Sequence, residues 1–245
     1  MGPNLRLARA YLHRRIAEFR QRFASHPGEG PAADAVAATR TLRQMELTIG
    51  DDGVLRCWWA AEPEIYRDYH DTEWGFGVTD DNRLFEKLCL EGFQAGLSWL
   101  TILRKREGFR AAFADFDPAV VAEFGEDDVD RLLADASIVR HQGKIRSTIN
   151  NAARALDLMD EEGSLRSFFW QWAEMDASAP GDIPATTEHS IRLAKELKRR
   201  GWTFVGPTTV YAFMQAMGLV NDHLSGCDAR DAAQRSRRLA ASSIH

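Results

Sequence analysis

The residues best suited to chemistry are two cysteines and two histidines. Cys57 and His70 stand in a C-x12-H spacing, and far downstream His223 and Cys227 stand in H-x3-C. Residues at i and i+4 share one face of a helix, so His223 and Cys227 are expected to grip one ion together. Two thiolates and two imidazoles suit a tetrahedral zinc. Four protein donors leave no open coordination position, so such a zinc is expected to be structural and to close a very long loop between the two ends of a domain. By spacing alone the signal is weak, because C-x12-H is not a short chelating pair. The rival is a catalytic zinc hydrolase, which needs an open position and a nearby general base; neither H-E-x-x-H nor H-x-E with P-C-x-x-C occurs in the chain.

A second constellation is aromatic. Trp58, Trp59, Tyr69, Trp74 and Trp99 cluster in a short region together with Glu91. Most aromatics are core residues, yet flat apolar faces beside a few polar groups are also what a flipped base would need. Glu91 lies in the apolar run from Cys89 to Trp99, where a lone carboxylate is costly to bury unless paired. A third stretch, Leu132 to Ile145, joins two helix-like segments through Ile138-Val139 and a turn at Gln142-Gly143. In such a connection the backbone N–H groups of a helix N-terminus can hold a phosphate without reading sequence, with Lys144 and Arg146 adding counter-charge.

The elements that position these residues read as helix after short helix. Asp80-Asp81 can cap a helix carrying Leu84, Phe85 and Leu88, and Ser98 another through Leu103. Asp117-Pro118 is an N-cap followed by proline at the first helical position. Thr187 precedes a helix through Lys198 with Gly201 as its stop, and Thr208 can open one through Met217 that ends at Gly218. Alternating strand-like runs are scarce, so the chain reads as all-α. Residues 1–54 form an extension whose Leu5, Ala8, Leu12, Ile16, Phe19 and Phe23 recur at helical spacing among arginines. Residues 229–245 read as a frayed basic tail.

Composition sets bounds. The 245 residues are 44% hydrophobic and 27% charged, enough for a large cored domain. No apolar run approaches the length of a membrane span, no secretory signal is evident, and three cysteines suit a reducing compartment, so a cytoplasmic location is the default. The net charge of -5 weighs mildly against a nucleic-acid partner. Local basic groups exist at Arg104-Lys105-Arg106, at Arg140-His141 with Lys144 and Arg146, and at Lys195 with Lys198-Arg199-Arg200, each read first as a solvated helix face.

Taken in order, the strings Y-H-D-x-E-W-G (Tyr69 to Gly75), L-E-G-x-Q-A-G-L-S-W (Leu90 to Trp99), the Ile138 to Ile145 hairpin, and Phe213 through His223 resemble the bacterial 3-methyladenine DNA glycosylase I family over residues 55–228. The resemblance implies an all-α helix-hairpin-helix DNA glycosylase fold whose zinc site joins the two ends of the domain. It implies a monofunctional repair enzyme that excises 3-methyladenine from double-stranded alkylated DNA, releasing the free base and leaving an abasic site. Carried onto this chain, Cys57, His70, His223 and Cys227 are the zinc ligands, and Glu91 is the carboxylate that hydrogen-bonds the methylated base. Tyr69 and Trp99 are base-contacting walls, with Trp59 and Trp74 shaping the pocket. Gly143 with Arg140 and Lys144 anchors a phosphate, and the Gln94–Leu97 turn wedges into the duplex. The enzyme type needs no dimer and no membrane. Phe93 departs from the polar residue expected in some members, at the pocket rim or wedge. Gly201 to Val210 holds no acid, and no pocket lysine stands out that would support lyase chemistry.

Overall fold

The computed structural model describes residues 47–175, 179–180 and 183–243. The amphipathic segment expected between Leu5 and Phe23 lies outside the described residues. From residue 47 onward the protein is mostly helical. A small antiparallel hairpin, β1 (Leu47–Ile49) and β2 (Leu55–Cys57), pairs Leu47 with Cys57 and Ile49 with Leu55. The helical class expected from the sequence holds, with this hairpin as a small addition, since strands of three residues are too short to show an alternating pattern. Ten helices follow, beginning with α1 (Glu64–Thr72), α2 (Asp81–Gln94) and α3 (Trp99–Ala112).

Next come α4 (Pro118–Val121), α5 (Glu126–Ala134), α6 (Gln142–Glu162) and α7 (Leu165–Trp170). The last three are α8 (Glu188–Arg199), α9 (Pro207–Ala216) and α10 (Arg230–Ser242). The expected caps at Asp80, Ser98, Asp117 and Thr187 all accept a backbone N–H of the first turn. Two boundaries differ from expectation. Helix α3 continues past Leu103 to Ala112, and α9 starts at Pro207, with Gly206 rather than Thr208 at its entry.

Helix α2 is the centre of the molecule, with α3, α6, α7 and α9 packed around it. Every residue from Leu84 to Phe93 is buried, including the charged Glu86, Lys87 and Glu91. Phe93 belongs to this core: its ring lies 4.6 Å from that of Phe109 and 5.9 Å from that of Phe113. It therefore does not form a pocket rim or a wedge, because the last turn of α2 points it inward against α3.

The expected frayed tail is instead α10, packed on the body through Ala233 and Ala240. Arg237 is fully buried, and its guanidinium donates to the carbonyls of Gly218 (2.6 Å), Leu219 (3.1 Å) and Glu174 (2.7 Å). A basic, Ala-rich segment with few large apolar residues looks frayed because its anchor is a charged group saturated by distant carbonyls. Arg237→Ala is expected to lower unfolding free energy by at least about 2 kcal/mol, the scale of hydrogen bonds to a charged group. Arg238→Ala, on the exposed face, should stay within about 0.5 kcal/mol. Urea denaturation of the two variants checks this.

Candidate functional site

The two cysteines and two histidines come together as expected from their types, with donor atoms within 4.8 Å of one another and all four residues buried. Cys57 ends β2, His70 sits in α1, and His223 and Cys227 lie in the irregular segment between α9 and α10. The last point is a correction: the pair shares a tight turn rather than a helix face. The preceding helix has already stopped at Ala216, with Gly218 at φ 73°, Gly226 at φ 89° allows the turn, and Arg230 donates back to the carbonyls of Asn221 and His223. Asp228 closes the end onto β2, donating its N–H to Leu55 and accepting the Leu55 N–H.

The imidazoles are oriented from behind. His70 Nδ1–H donates to Asp71 at 2.7 Å, leaving Nε2 toward the cluster, 3.5 Å from Cys227 Sγ. His223 does the reverse: Nε2–H donates to the Trp74 carbonyl at 2.8 Å, and Nδ1 lies 3.4 Å from Cys227 Sγ and 3.9 Å from Cys57 Sγ. Asp71 is itself gripped by Arg56 at 2.7 Å. Partial burial pushes the Asp71 carboxyl up, but the hydrogen bonds from Arg56 and His70 outweigh it and hold it below its ordinary range. Gly75, at φ 85°, permits the chain to pass close behind His223, where a Cβ would come within 3.0 Å of the ring. Sulfur and nitrogen donors on one tetrahedral zinc stand roughly 3.5 Å apart, given bond lengths of about 2.3 and 2.0–2.1 Å. The three sulfur–nitrogen distances of 3.4, 3.5 and 3.9 Å lie near that spacing, and the oriented imidazoles are the arrangement a metal site uses.

Trp59 and Trp74 connect this cluster to the aromatic site. Trp74 stacks on His70 with centroids 6.1 Å apart and meets His223 edge-on at 4.8 Å. Trp59 lies 5.0 Å from Trp74 and 6.3 Å from Tyr69. Both are therefore supports behind the site more than faces of it. Trp58 turns outward, 43% exposed.

Tyr69 and Trp99 stand with rings 5.4 Å apart, and Glu91 is buried beside them at 5% exposure. The carboxylate is paired, but not with an arginine. Lys87, one turn earlier on α2, places its ammonium 2.8 Å from Glu91 Oε1, donates to the Tyr69 hydroxyl at 2.8 Å, and lies 3.2 Å from the centroid of the Trp99 ring. Sequence reading missed Lys87, although a Lys–Glu pair at i, i+4 on an otherwise apolar helix was a readable signal. The expectation that the pocket contains no lysine is overturned. Burial pulls the Lys87 ammonium down to about 8 against the opposing pull of Glu91, and burial drives the Tyr69 phenol well above its ordinary range. Beside this group a narrow cleft, with a free volume of about 10 Å³ in this closed arrangement, is walled by Tyr69, Lys87, Leu90, Trp99 and the Glu73–Arg106 ion pair. The Trp99 indole N–H is buried without a protein partner among the described residues.

The third group lies on the surface. Gln94 ends α2, and the turn after it carries, beyond Gly96 at φ 82°, the exposed Leu97 (42%). Arg140, His141, Gln142 and Gly143 are exposed at the start of α6. Helix α6 begins at Gln142 with His141 as its cap, so Gln142 and Gly143 form its first turn and not the loop before it. Lys144 is not free to meet a phosphate as expected. It is buried, and its ammonium donates to the carbonyls of Phe93 (2.7 Å) and Ala95 (2.6 Å), tying α6 to the Gln94–Leu97 turn. Arg146 pairs with Glu126 at 2.6 Å, and Arg199 and Arg200 both bind Glu196, so these basic groups are largely neutralised within the protein. Phe204, exposed at 42% and 6.4 Å from the His141 ring, adds an apolar group that sequence reading missed.

A family model described as methyladenine glycosylase matches residues 59–231. DNA-3-methyladenine glycosylase 1 of Escherichia coli (strain K12) is 48% identical over 177 residues, covering 70% of this chain and 95% of that protein. DNA-3-methyladenine glycosylase of Haemophilus influenzae (strain ATCC 51907 / DSM 11121 / KW20 / Rd) is 44% identical over 177 residues, covering 70% and 96%. Among solved structures, a crystal structure of 3-methyladenine DNA glycosylase I is similar at a TM-score of 0.65 and 48% identity, covering 71% of this chain and 98% of that one. The Staphylococcus aureus 3-methyladenine DNA glycosylase I, solved to explain 3-methyladenine recognition, is similar at 0.66 and 35% identity, covering 70% and 94%.

The buried Lys87 has a measurable consequence. Its proton is lost near pH 8 in the folded state but near its ordinary 10.5 when exposed. Between those values the unfolded chain binds more protons, so this residue makes stability rise with pH from about 8 to 10.5 and contributes a constant below 8. In urea titrations at pH 7.5, 9 and 10.5, wild type should gain on Lys87→Gln across that window; parallel curves would contradict the placement.

Proposed function

The chain belongs to the methyladenine glycosylase family and hydrolyses the N-glycosidic bond of 3-methyladenine in alkylated DNA, and we propose that Glu91, Tyr69 and Trp99 carry recognition of the damaged base. The observation that carries this reading is a buried carboxylate flanked by two aromatic rings beside a narrow cleft. N3-methylation makes adenine cationic and thus a good leaving group, so the protein has more selecting than bond-breaking to do. Aromatic faces favour a cationic base by about 0.5–2 kcal/mol per good contact. Glu91 accepts from the exocyclic amine and favours positive charge near it. The buried Trp99 N–H is a further donor for an acceptor on the substrate. A water then attacks the sugar as positive charge develops there, the free base leaves, and an abasic site remains. Gly201 to Val210 contributes no acid to that step, which suits a base that leaves readily.

The hairpin between α5 and α6 serves as the double-stranded DNA anchor in this reading. The first N–H groups of α6, at Gln142 and Gly143, hold a phosphate with Arg140 alongside. Leu97, on a turn that Lys144 clamps, enters the space left by the flipped nucleotide. Phe204 lies beside the same surface. The parts are all supplied by one chain, in keeping with a monomer acting in the cytoplasm; no helix of the described residues is long and apolar enough to cross a membrane. Cys57, His70, His223 and Cys227 hold a structural zinc, whose chemistry is to cross-link the two ends of the domain.

Two outcomes test this. Glu91→Gln should slow release of 3-methyladenine from methylated DNA by about 10- to 100-fold, the scale of a hydrogen bond to a charged group. Chromatography of the released bases reads this, and wild type should release 3-methyladenine in large excess over 7-methylguanine. Elemental analysis should find one zinc per chain, and Cys227→Ser or chelation should lower the melting temperature by more than about 10 °C. A metal-free wild type with unchanged melting would remove zinc from the account.

A further inference from the structure

We propose that Lys87 is a built-in competitor for the cationic base: its side-chain ammonium occupies the carboxylate, the phenol and the indole face that the damaged base would use. This inference rests on the base-recognition reading above and deepens it.

The geometry is that of a complete cation site. The ammonium has an anion at 2.8 Å in Glu91, a hydroxyl oxygen at 2.8 Å in Tyr69, and the face of Trp99 at 3.2 Å from its centroid. These are the three kinds of contact that recognise a planar cation bearing an amine. With the ammonium in place, Glu91 is neutralised and the face of Trp99 is covered. A cationic base entering the same space meets a like charge in a water-poor setting, where repulsion is least screened.

Other charges near Lys87 do not relieve that repulsion. On α2, Glu86 is held by Arg110 at 2.9 Å, and Arg83 lies between Glu73 and Glu86. At the end of α1, Glu73 is taken by Arg106 of α3 at 2.6 Å. Tyr69, the remaining titratable neighbour from α1, is held neutral by burial. The cation next to Glu91 is thus Lys87 itself, and the pocket opens to a second cation when Lys87 swings out or loses its proton. Burial brings that deprotonation to about pH 8. Lys87 is accordingly a specificity-determining and pH-sensitive residue: protonated, it makes the pocket electrically neutral; neutral, it loses the ion pair and cation–π attraction that hold it there and yields the carboxylate and ring face to the cationic base.

The test is single-turnover release of 3-methyladenine from methylated duplex DNA between pH 6.5 and 9, using wild type, Lys87→Gln and Lys87→Arg, each checked for folding by circular dichroism and melting. A group titrating near 8 goes from about 3% to about 90% neutral over that range, so the wild-type rate should climb by about 30-fold. Lys87→Gln, which keeps a hydrogen-bonding group without charge, should be fast and flat from pH 6.5. Lys87→Arg, which keeps its charge throughout, should be slow and flat. A wild-type profile without a rise, or variants that are slower yet keep the wild-type pH dependence, would overturn the proposal and leave Lys87 a structural partner of Glu91. If no folded protein of the three releases base at any pH, the base-recognition reading itself falls, and this proposal with it.

Discussion

A helix buried on every side can carry charged residues only where the surrounding elements supply their partners, and this constraint on α2 organises the protein. An isolated charge in such a place is costly by several kcal/mol. Glu86 therefore draws Arg110 from α3, while Glu91 takes Lys87 from its own helix and Lys87 in turn takes Tyr69 from α1. The aromatic rings that make this interior apolar are the same rings that wall the proposed base site. Tyr69 and Trp99 exclude water from Glu91, which strengthens every electrostatic contact the carboxylate makes.

The Cys/His cluster extends that arrangement to the ends of the chain. His70 follows Tyr69 directly on α1, and Trp74, which accepts the His223 N–H through its carbonyl, stacks on His70. Trp59 then bridges toward Tyr69. Anything that loosens the cluster shifts the platform on which Tyr69 stands. The two hydrogen bonds between Asp228 and Leu55 and the burial of Arg237 act in the same direction, fastening the C-terminal segment behind Tyr69.

At the front, Lys144 does mechanically what a phosphate contact would do electrostatically. By capping the carbonyls at the end of α2, it couples the exposed Leu97 turn to the first turn of α6. The turn and the helix N-terminus then present one surface with a fixed spacing. Under the proposed DNA-anchoring role this suits a chain of net charge -5, because few basic groups need to meet phosphates if those few are held in register with Leu97.

Local interactions are where the amino-acid sequence was sufficient. The caps at Asp80, Ser98, Asp117 and Thr187 join atoms within three residues of each other, and the donor types at Cys57, His70, His223 and Cys227 carry their own coordination chemistry. The long strings around Tyr69 and Glu91 were enough to place the chain in its family. Which partner satisfies a buried charge is a different kind of question, because it depends on groups tens of residues away. Only the tertiary structure put Lys87 on Trp99, Lys144 on the Phe93 and Ala95 carbonyls, Arg237 among carbonyls from two segments, and Phe93 in the core. A lysine in sequence is a solvated cation until neighbouring elements close over it. Burial and long-range pairing, which no local pattern encodes, decide whether it binds a ligand, clamps a turn or guards a pocket.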